Sequence, residues 1–279
     1  MKSDNIQKLL NDGYFVLKNC ISKKIINNAN TIIETEIENI LKQKKIKFKE
    51  KDFKNNYFKL KQILPKNKIQ IKLGEILYKK NLIRDLLLEK KLKNQLISIL
   101  GPDIEYEEDN ELLINEKENI GNDHLFKKLH QEIWSGAGIE NILIWIPLNL
   151  KQGMGTLEIV KGSHKFGFIE NQNREPINVN SYKTSKLNIQ NRSVLFLTAL
   201  TLHKTEINKN KIPRLAIPIL IRNFYYKNTG NSDLNNYRKL NYSFVSIFRK
   251  ILGNPFYSSF RTLGQKRKSI FEKDKHYKK

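Results

Sequence analysis

Two histidines and one glutamate are the residues of this chain whose types and spacing suit metal chemistry. His130 and Glu132 stand two apart in the apolar-flanked run Leu129 to Ile133. An extended strand there would project both side chains from one face. His203 closes a second apolar run, SVLFLTALTLH, 71 positions after Glu132. Two imidazoles and one carboxylate are the facial ligand set that holds non-heme Fe(II) while leaving coordination positions open. Taken singly, each histidine reads as a satisfied core residue and Glu132 as a surface carboxylate on an alternating strand. Taken together they favour ligation, because an unpaired imidazole in an apolar run costs free energy and a buried acid needs a partner.

Arg214 follows His203 by 11 residues and opens the apolar run LAIPILI. A guanidinium at that place can clamp a carboxylate through two parallel hydrogen bonds. Arg222 competes for the role, eight residues further on and on the same side of the strand, and the spacing from His203 favours Arg214. The order His-x-Glu, His, Arg is the one a 2-oxoglutarate-dependent oxygenase needs.

With these residues in place, the chain resembles the phytanoyl-CoA dioxygenase (PhyH) family of Fe(II)/2-oxoglutarate-dependent oxygenases. The stretch HQE is similar to the family's HxD, GTLEIVKGSHKFG to its Gly-Ser-His segment, LHKTEINKNKIPR to its distal histidine and arginine, and LLNDGYFVLKNCIS to its usual opening. Together they span Leu9 to Phe224. Glu132 stands where the family usually has Asp, and Lys161 where it often has Pro. The resemblance implies a metal site of His130, Glu132 and His203, with Fe(II) as cofactor and 2-oxoglutarate as cosubstrate. It also maps Arg214, Thr205 and Trp145 onto positions that contact 2-oxoglutarate, although a buried Trp in a strand is more often core than ligand contact. The implied activity is hydroxylation of a small-molecule or carrier-bound substrate with release of succinate and CO2. Related halogenating enzymes carry a small residue at the carboxylate position, so Glu132 favours hydroxylation. Gly155, Gly162 and Ser163 read as structural turn residues.

A chain of 279 residues with 39% hydrophobic residues can bury a substantial core in one domain. The single cysteine, Cys20, excludes a disulfide framework and fits a reducing, cytoplasmic setting. No apolar run reaches the length of a membrane span, and the first residues lack a signal-peptide core. The formal charge is +23, of which residues 42–61 hold +7 and residues 261–279 hold +6. Lysine, asparagine and isoleucine dominate while arginine is scarce, the usage an AT-rich genome produces, so no nucleic-acid partner is expected. The functional alternative is a basic surface that steers an anionic substrate or rests on an acidic carrier or membrane. Oligomeric state is open. The chain has no P-loop, Cys-x-x-Cys or nucleophile elbow. The two rival readings are a cupin-like metal- or ligand-binding protein without 2-oxoglutarate turnover and a basic nucleic-acid or anionic-surface binder.

These residues need a scaffold, and the periodicity predicts an α+β fold with a mainly β core. Helices are expected at 3–12, capped by Ser3, from Ser22 to Leu41, and as one amphipathic helix from Asn81 to Leu100. Residues 42–68, lysine-rich with Phe48, Phe53, Tyr57 and Phe58, read as a loop or lid anchored by its aromatics. Strands are expected at Tyr14 to Leu17, Leu112 to Asn115, Leu129 to Ile133, Ile142 to Leu148, Thr156 to Val160, Ser193 to Leu197, Thr201 to Glu206 and Leu215 to Phe224. The architecture that follows is a cupin-like double-stranded β-helix, or jelly roll, with the N-terminal amphipathic helices on one sheet. One domain is expected over 1–253, helical over residues 1–101, with a jelly-roll core over 102–226 and a C-terminal helix over 233–253. Residues 168–192 form a polar insertion bordering the site, 228–236 a Gly/Asn loop, and 254–279 a basic tail. His124, His164 and His276 read as loop, turn and tail residues.

Overall fold

A computed structural model of the chain describes residues 4–108, 111–117, 128–225 and 237–251, without the side chains of 249 and 250. Ser3, His124, His276, the 228–236 loop and the 254–279 tail lie outside the described residues. Helix α1 (Asp4–Asp12) leads into strand β1 (Tyr14–Leu17). Helix α2 (Lys23–Gln43) starts where the Ile25 N–H donates to Ser22 Oγ at 3.4 Å, an ordinary N-cap. It buries Ile26, Ala29, Ile33, Ile37, Ile40 and Leu41 at the three- and four-residue steps of a helix face.

Most of the lysine-rich stretch from 53 onward is helical, not the expected loop. Helix α3 (Phe53–Ile63) is capped by Asp52, whose Oδ1 accepts the Asn55 N–H at 3.2 Å, and Pro65 opens helix α4 (Lys66–Lys79). Tyr57, fully buried, donates its hydroxyl to Glu116, which also pairs with Lys61. Aromatic anchoring therefore holds for Tyr57 and, packed partly buried against the same core, for Phe48 and Phe53, whereas Phe58 is exposed. The expected long helix over 81–100 is two, α5 (Leu82–Leu87) and α6 (Lys90–Leu100). The step from Leu86 to Leu92 is six residues, which a single α-helix cannot keep on one face, and Glu89 breaks the chain with ψ 125°.

Two antiparallel sheets follow. The larger has the order β1-β9-β4-β11-β2-β12 with β3 beside β11. Its members are β1, β2 (Ile104–Glu107), β3 (Leu113–Asn115), β4 (Ile142–Pro147), β9 (Val194–Thr198), β11 (Arg214–Asn223) and β12 (Tyr237–Asn241). The smaller has the order β10-β5-β8, with β5 (Leu157–Ile159), β8 (Ser185–Lys186) and β10 (His203–Thr205). Strands β6 (Asn171–Gln172) and β7 (Glu175–Pro176) make a hairpin inside 168–192.

Alternation along the strands divides the core into two layers. Ile144 and Ile146 of β4, Val194 and Phe196 of β9, and Leu215, Ile217, Ile219 and Ile221 of β11 join the buried faces of α2 to α6. Leu143 and Trp145, Leu195 and Leu197, and Ala216 and Leu220 point the other way, toward Leu157 and Ile159 of the small sheet. The protein is thus a helical layer on a seven-stranded sheet whose far face meets a second sheet.

Strands β2 and β12 have no counterpart among the expected strands, and β12 occupies some of the stretch expected as a helix over 233–253. Helix α7 (Phe244–Ile251) is what remains of that helix among the described residues. Half of β2 is glutamate, and Glu105 is satisfied by Arg222 at 3.4 Å and by the Tyr242 hydroxyl, partners 117 and 137 residues away. No described helix is long and apolar enough to cross a membrane.

Candidate metal centre

The expected strand Leu129 to Ile133 does not form. His130 makes an isolated antiparallel bridge to His203, each N–H donating to the other's carbonyl at 2.9 and 3.0 Å. After it Glu132 opens a short 3₁₀ turn, Glu132–Ser135. The bridge sets the imidazoles side by side, with ring centroids 4.4 Å apart, and the turn swings Glu132 back toward them. Glu132 Oε1 lies 3.6 Å from His130 Nε2 and 3.2 Å from His203 Nε2. One ligand atom from each of the three residues falls within 4.8 Å of the others.

The second nitrogen of each ring is tied to the backbone. His130 Nδ1 is 2.7 Å from the Lys128 carbonyl and His203 Nδ1 is 3.0 Å from the Thr201 carbonyl. A carbonyl only accepts, so Nδ1 carries a proton in both rings and Nε2 is the ring atom that each imidazole turns to the centre. Burial raises the Glu132 pKa, but hydrogen bonds from His130 and His203 outweigh it and hold the carboxyl well below the usual carboxylate range. Burial also works against charge on His130, which the neighbouring Glu132 more than offsets. The centre sets a carboxylate between two Nε2 atoms, which a divalent cation could take as ligands by displacing their protons, a donor set suited to such an ion.

Gln131, between the first two ligands, escaped the sequence reading although its position was legible. Its side chain is fully buried and turned away from the centre. It donates to the carbonyls of Gly167 at 2.9 Å and Leu200 at 2.6 Å, and accepts the Ile169 N–H at 3.1 Å. It thereby pins the ligand loop to the segment preceding His203. Ser163 has a related task, accepting the Leu202 N–H at 2.8 Å. Gly155, at φ +71°, lets the chain run against the backbone of Glu206 and Ile207, where an added Cβ would sit 2.5 Å from a carbonyl oxygen.

The centre opens into a cavity of about 330 Å³, lined by Trp145, Thr205, Leu143, Leu157 and Pro218 beside the three ligands. Thr205 follows His203 by two residues on β10, so both share a face. Arg214 enters from β11 on the face of Ala216 and Leu220, fully buried, its guanidinium carbon 4.8 Å from the Trp145 ring. Among the described residues, none of its three guanidinium nitrogens has a hydrogen-bond partner, nor has Trp145 Nε1. Burial pushes the Arg214 pKa down to about 9, and the charge of Glu206 resists this only weakly. Arg222, its sequence competitor, is committed elsewhere, with Glu105 at 3.4 Å and its guanidinium 3.7 Å over the Tyr237 ring. His164 lies in the turn expected for it, its Nε2 2.9 Å from the Leu10 carbonyl.

No sequence-family model matches the chain, and no curated protein sequence does. Among solved structures, it is similar to the non-heme monooxygenase ThoJ in its apo form, at 14% identity and TM-score 0.59 over 86% of this chain and 84% of that one. It is also similar to SnoK, a non-heme alpha-ketoglutarate-dependent carbocyclase from nogalamycin biosynthesis, at 14% identity and TM-score 0.50, covering 79% and 84%. AviO1 from Streptomyces viridochromogenes Tue57 matches at 16% identity and TM-score 0.50, covering 80% and 95%. The chain therefore has the jelly-roll fold of non-heme iron oxygenases. The narrower PhyH resemblance rests on the motifs alone.

Proposed function

We propose that the protein is a non-heme Fe(II)/2-oxoglutarate-dependent oxygenase that hydroxylates a small-molecule or carrier-bound substrate. The observation that carries this reading is the company of two incomplete sites in one fold: a His130, Glu132, His203 donor set and, on β11 of the larger sheet, a buried guanidinium with no hydrogen-bond partner among the described residues. A buried, unpaired charge is costly and marks a place where an anion belongs. A metal-binding barrel without the cosubstrate would carry that cost to no purpose.

In this reading His130, Glu132 and His203 hold Fe(II), and Arg214 receives the distal carboxylate of 2-oxoglutarate in the fork geometry its free nitrogens allow. Iron with 2-oxoglutarate supplies oxidative decarboxylation to succinate and CO2 and the oxidising power that hydroxylates the substrate. The protein's own residues orient and insulate. The Lys128 and Thr201 carbonyls keep both imidazoles in one tautomer, Trp145 covers the guanidinium, and the apolar walls around Leu143, Leu157 and Pro218 exclude water from the reacting face. Thr205 is assigned a hydroxyl contact to the cosubstrate.

The test is anaerobic absorbance of purified protein with Fe(II) and 2-oxoglutarate. Wild type is expected to show the visible metal-to-ligand charge-transfer band, and His130→Ala to lose it. A folded, iron-loaded wild type without the band would remove the cosubstrate from the proposal.

A further inference from the structure

The cavity has a second polar pole that neither the metal set nor the 2-oxoglutarate clamp uses. It is built from α4 and the segment entering β3. The Leu112 N–H donates to the Gln70 carbonyl at 3.2 Å, which locks that segment to the helix. Glu111, next to it, is joined to Gln70 by the side-chain amide, Nε2 to Oε2 at 3.4 Å, and both residues line the cavity that contains His130, Glu132 and His203. Asn67, one turn before Gln70 on α4, lines it as well. The rest of that wall is apolar, with Leu113, Leu143 and Pro218.

Among the described residues, no cation pairs with Glu111. Its one contact is a long bond from a neutral amide, and desolvation alone raises its pKa. Three other acids withdrawn from water have a cation: Glu116 has Lys61, Glu105 has Arg222, and Glu206 has Lys186 at 2.7 Å. A carboxylate partly withdrawn from water without a counter-charge, facing a cavity, leaves a requirement that a ligand can meet. Arg214, buried against the Trp145 ring of the cavity wall, is taken up by the cosubstrate in the proposed function.

Resting on that function, we propose that Glu111, held by Gln70, is the substrate-recognition pole of this oxygenase, and that the substrate carries an ammonium group on an apolar body. The ammonium donates to Glu111, the apolar body lies along Leu113, Leu143 and Pro218, and the carbon to be hydroxylated reaches toward the metal set. The selectivity runs opposite to that suggested by the whole-chain charge of +23, which attracts anions at long range. Local desolvation outweighs that screened field inside the cavity.

The experiment compares three probes of equal length, hexylamine, 1-hexanol and hexanoate, by calorimetric titration and thermal shift at 0.15 M salt. Wild type, Glu111→Gln and Glu111→Lys are each titrated without metal and with Ni(II) and 2-oxoglutarate. Wild type is expected to bind hexylammonium at least about tenfold more tightly than hexanoate, the discrimination a charge-assisted hydrogen bond supplies. Glu111→Gln should lose about tenfold in ammonium affinity with 1-hexanol unchanged, and Glu111→Lys should invert the order. Equal binding of all three probes by wild type, a preference for hexanoate, or unchanged ammonium affinity in Glu111→Gln overturns the proposal. The wild-type panel decides the matter even if a variant fails to fold. Because the probes are read without iron turnover, a missing charge-transfer band would strike the oxygenase reading and leave the Glu111 result standing separately.

Discussion

Arg214→Met should make the protein more stable and unable to use 2-oxoglutarate. The guanidinium is fully buried and its pKa falls well below the ordinary guanidinium range, to about 9. At about 1.4 kcal/mol for each tenfold change in proton affinity, that drop corresponds to about 5 kcal/mol held against the charged form. The Trp145 face, 4.8 Å from the guanidinium carbon, returns about 2 kcal/mol. Methionine keeps an unbranched stem without the charge, so the ligand-free variant is expected to gain about 2 to 3 kcal/mol, in the range seen when buried ions are replaced by apolar residues. For a domain of this size that raises Tm by about 5 to 10 °C. Scanning calorimetry at pH 7.5 without ligand measures it. Because the folded-state pKa is depressed, the penalty in wild type is full below about 9 and is relieved as pH rises from there toward the ordinary guanidinium value. The gap between variant and wild type should therefore narrow at pH 10. Adding 2-oxoglutarate with Ni(II) should raise the Tm of wild type and leave Arg214→Met unmoved. A variant that melts below wild type, or that keeps the 2-oxoglutarate shift, refutes the claim that this guanidinium is an unmet charge awaiting an anion.

Metal titration tests the centre directly: His203→Ala should lose Ni(II) affinity by more than about 100-fold, because removal of a ligand exceeds the 10- to 100-fold typical of outer-shell changes. Gln131→Leu leaves all three ligands in place but frees the carbonyls of Gly167 and Leu200, so it should weaken Ni(II) by about tenfold and cost about 2 kcal/mol in urea denaturation. Gly155→Ala places a Cβ 2.5 Å from the Glu206 carbonyl oxygen at φ +71°, and should cost more than about 2 kcal/mol in the same assay.

Much of the architecture was legible because it repeats locally. The three- and four-residue steps of α2 and the alternation of β4, β9 and β11 are properties of short windows. Where a local signal conflicted with itself, the expectation failed in an interpretable way. The lysines of 42–68 hid the helical period of α3 and α4, whose buried side is set by Tyr57, Leu60, Ile69 and Leu73. Strand β2 alternates Ile104 and Tyr106 with Glu105 and Glu107, but over four residues only, and the buried Glu105 is acceptable there only with Arg222 and Tyr242 brought from the far end of the chain.

At the site, residue type and order in the sequence were enough to single out His130, Glu132, His203 and Arg214 as a set. Few histidines compete, and the structure brings His130, Glu132 and His203 together. How they meet was decided by tertiary structure. The shared-face strand expected for His130 and Glu132 is absent; a two-residue bridge between His130 and His203 and a 3₁₀ turn bring the three together instead. Likewise, Arg214 and Arg222 lie on one strand and one face, and sequence spacing only leaned toward the first. What separates them is that Glu105 and Tyr237 reach Arg222 while no described side chain hydrogen-bonds Arg214. A charge is defined by its partners, and partners a hundred residues distant become neighbours only when the sheets close.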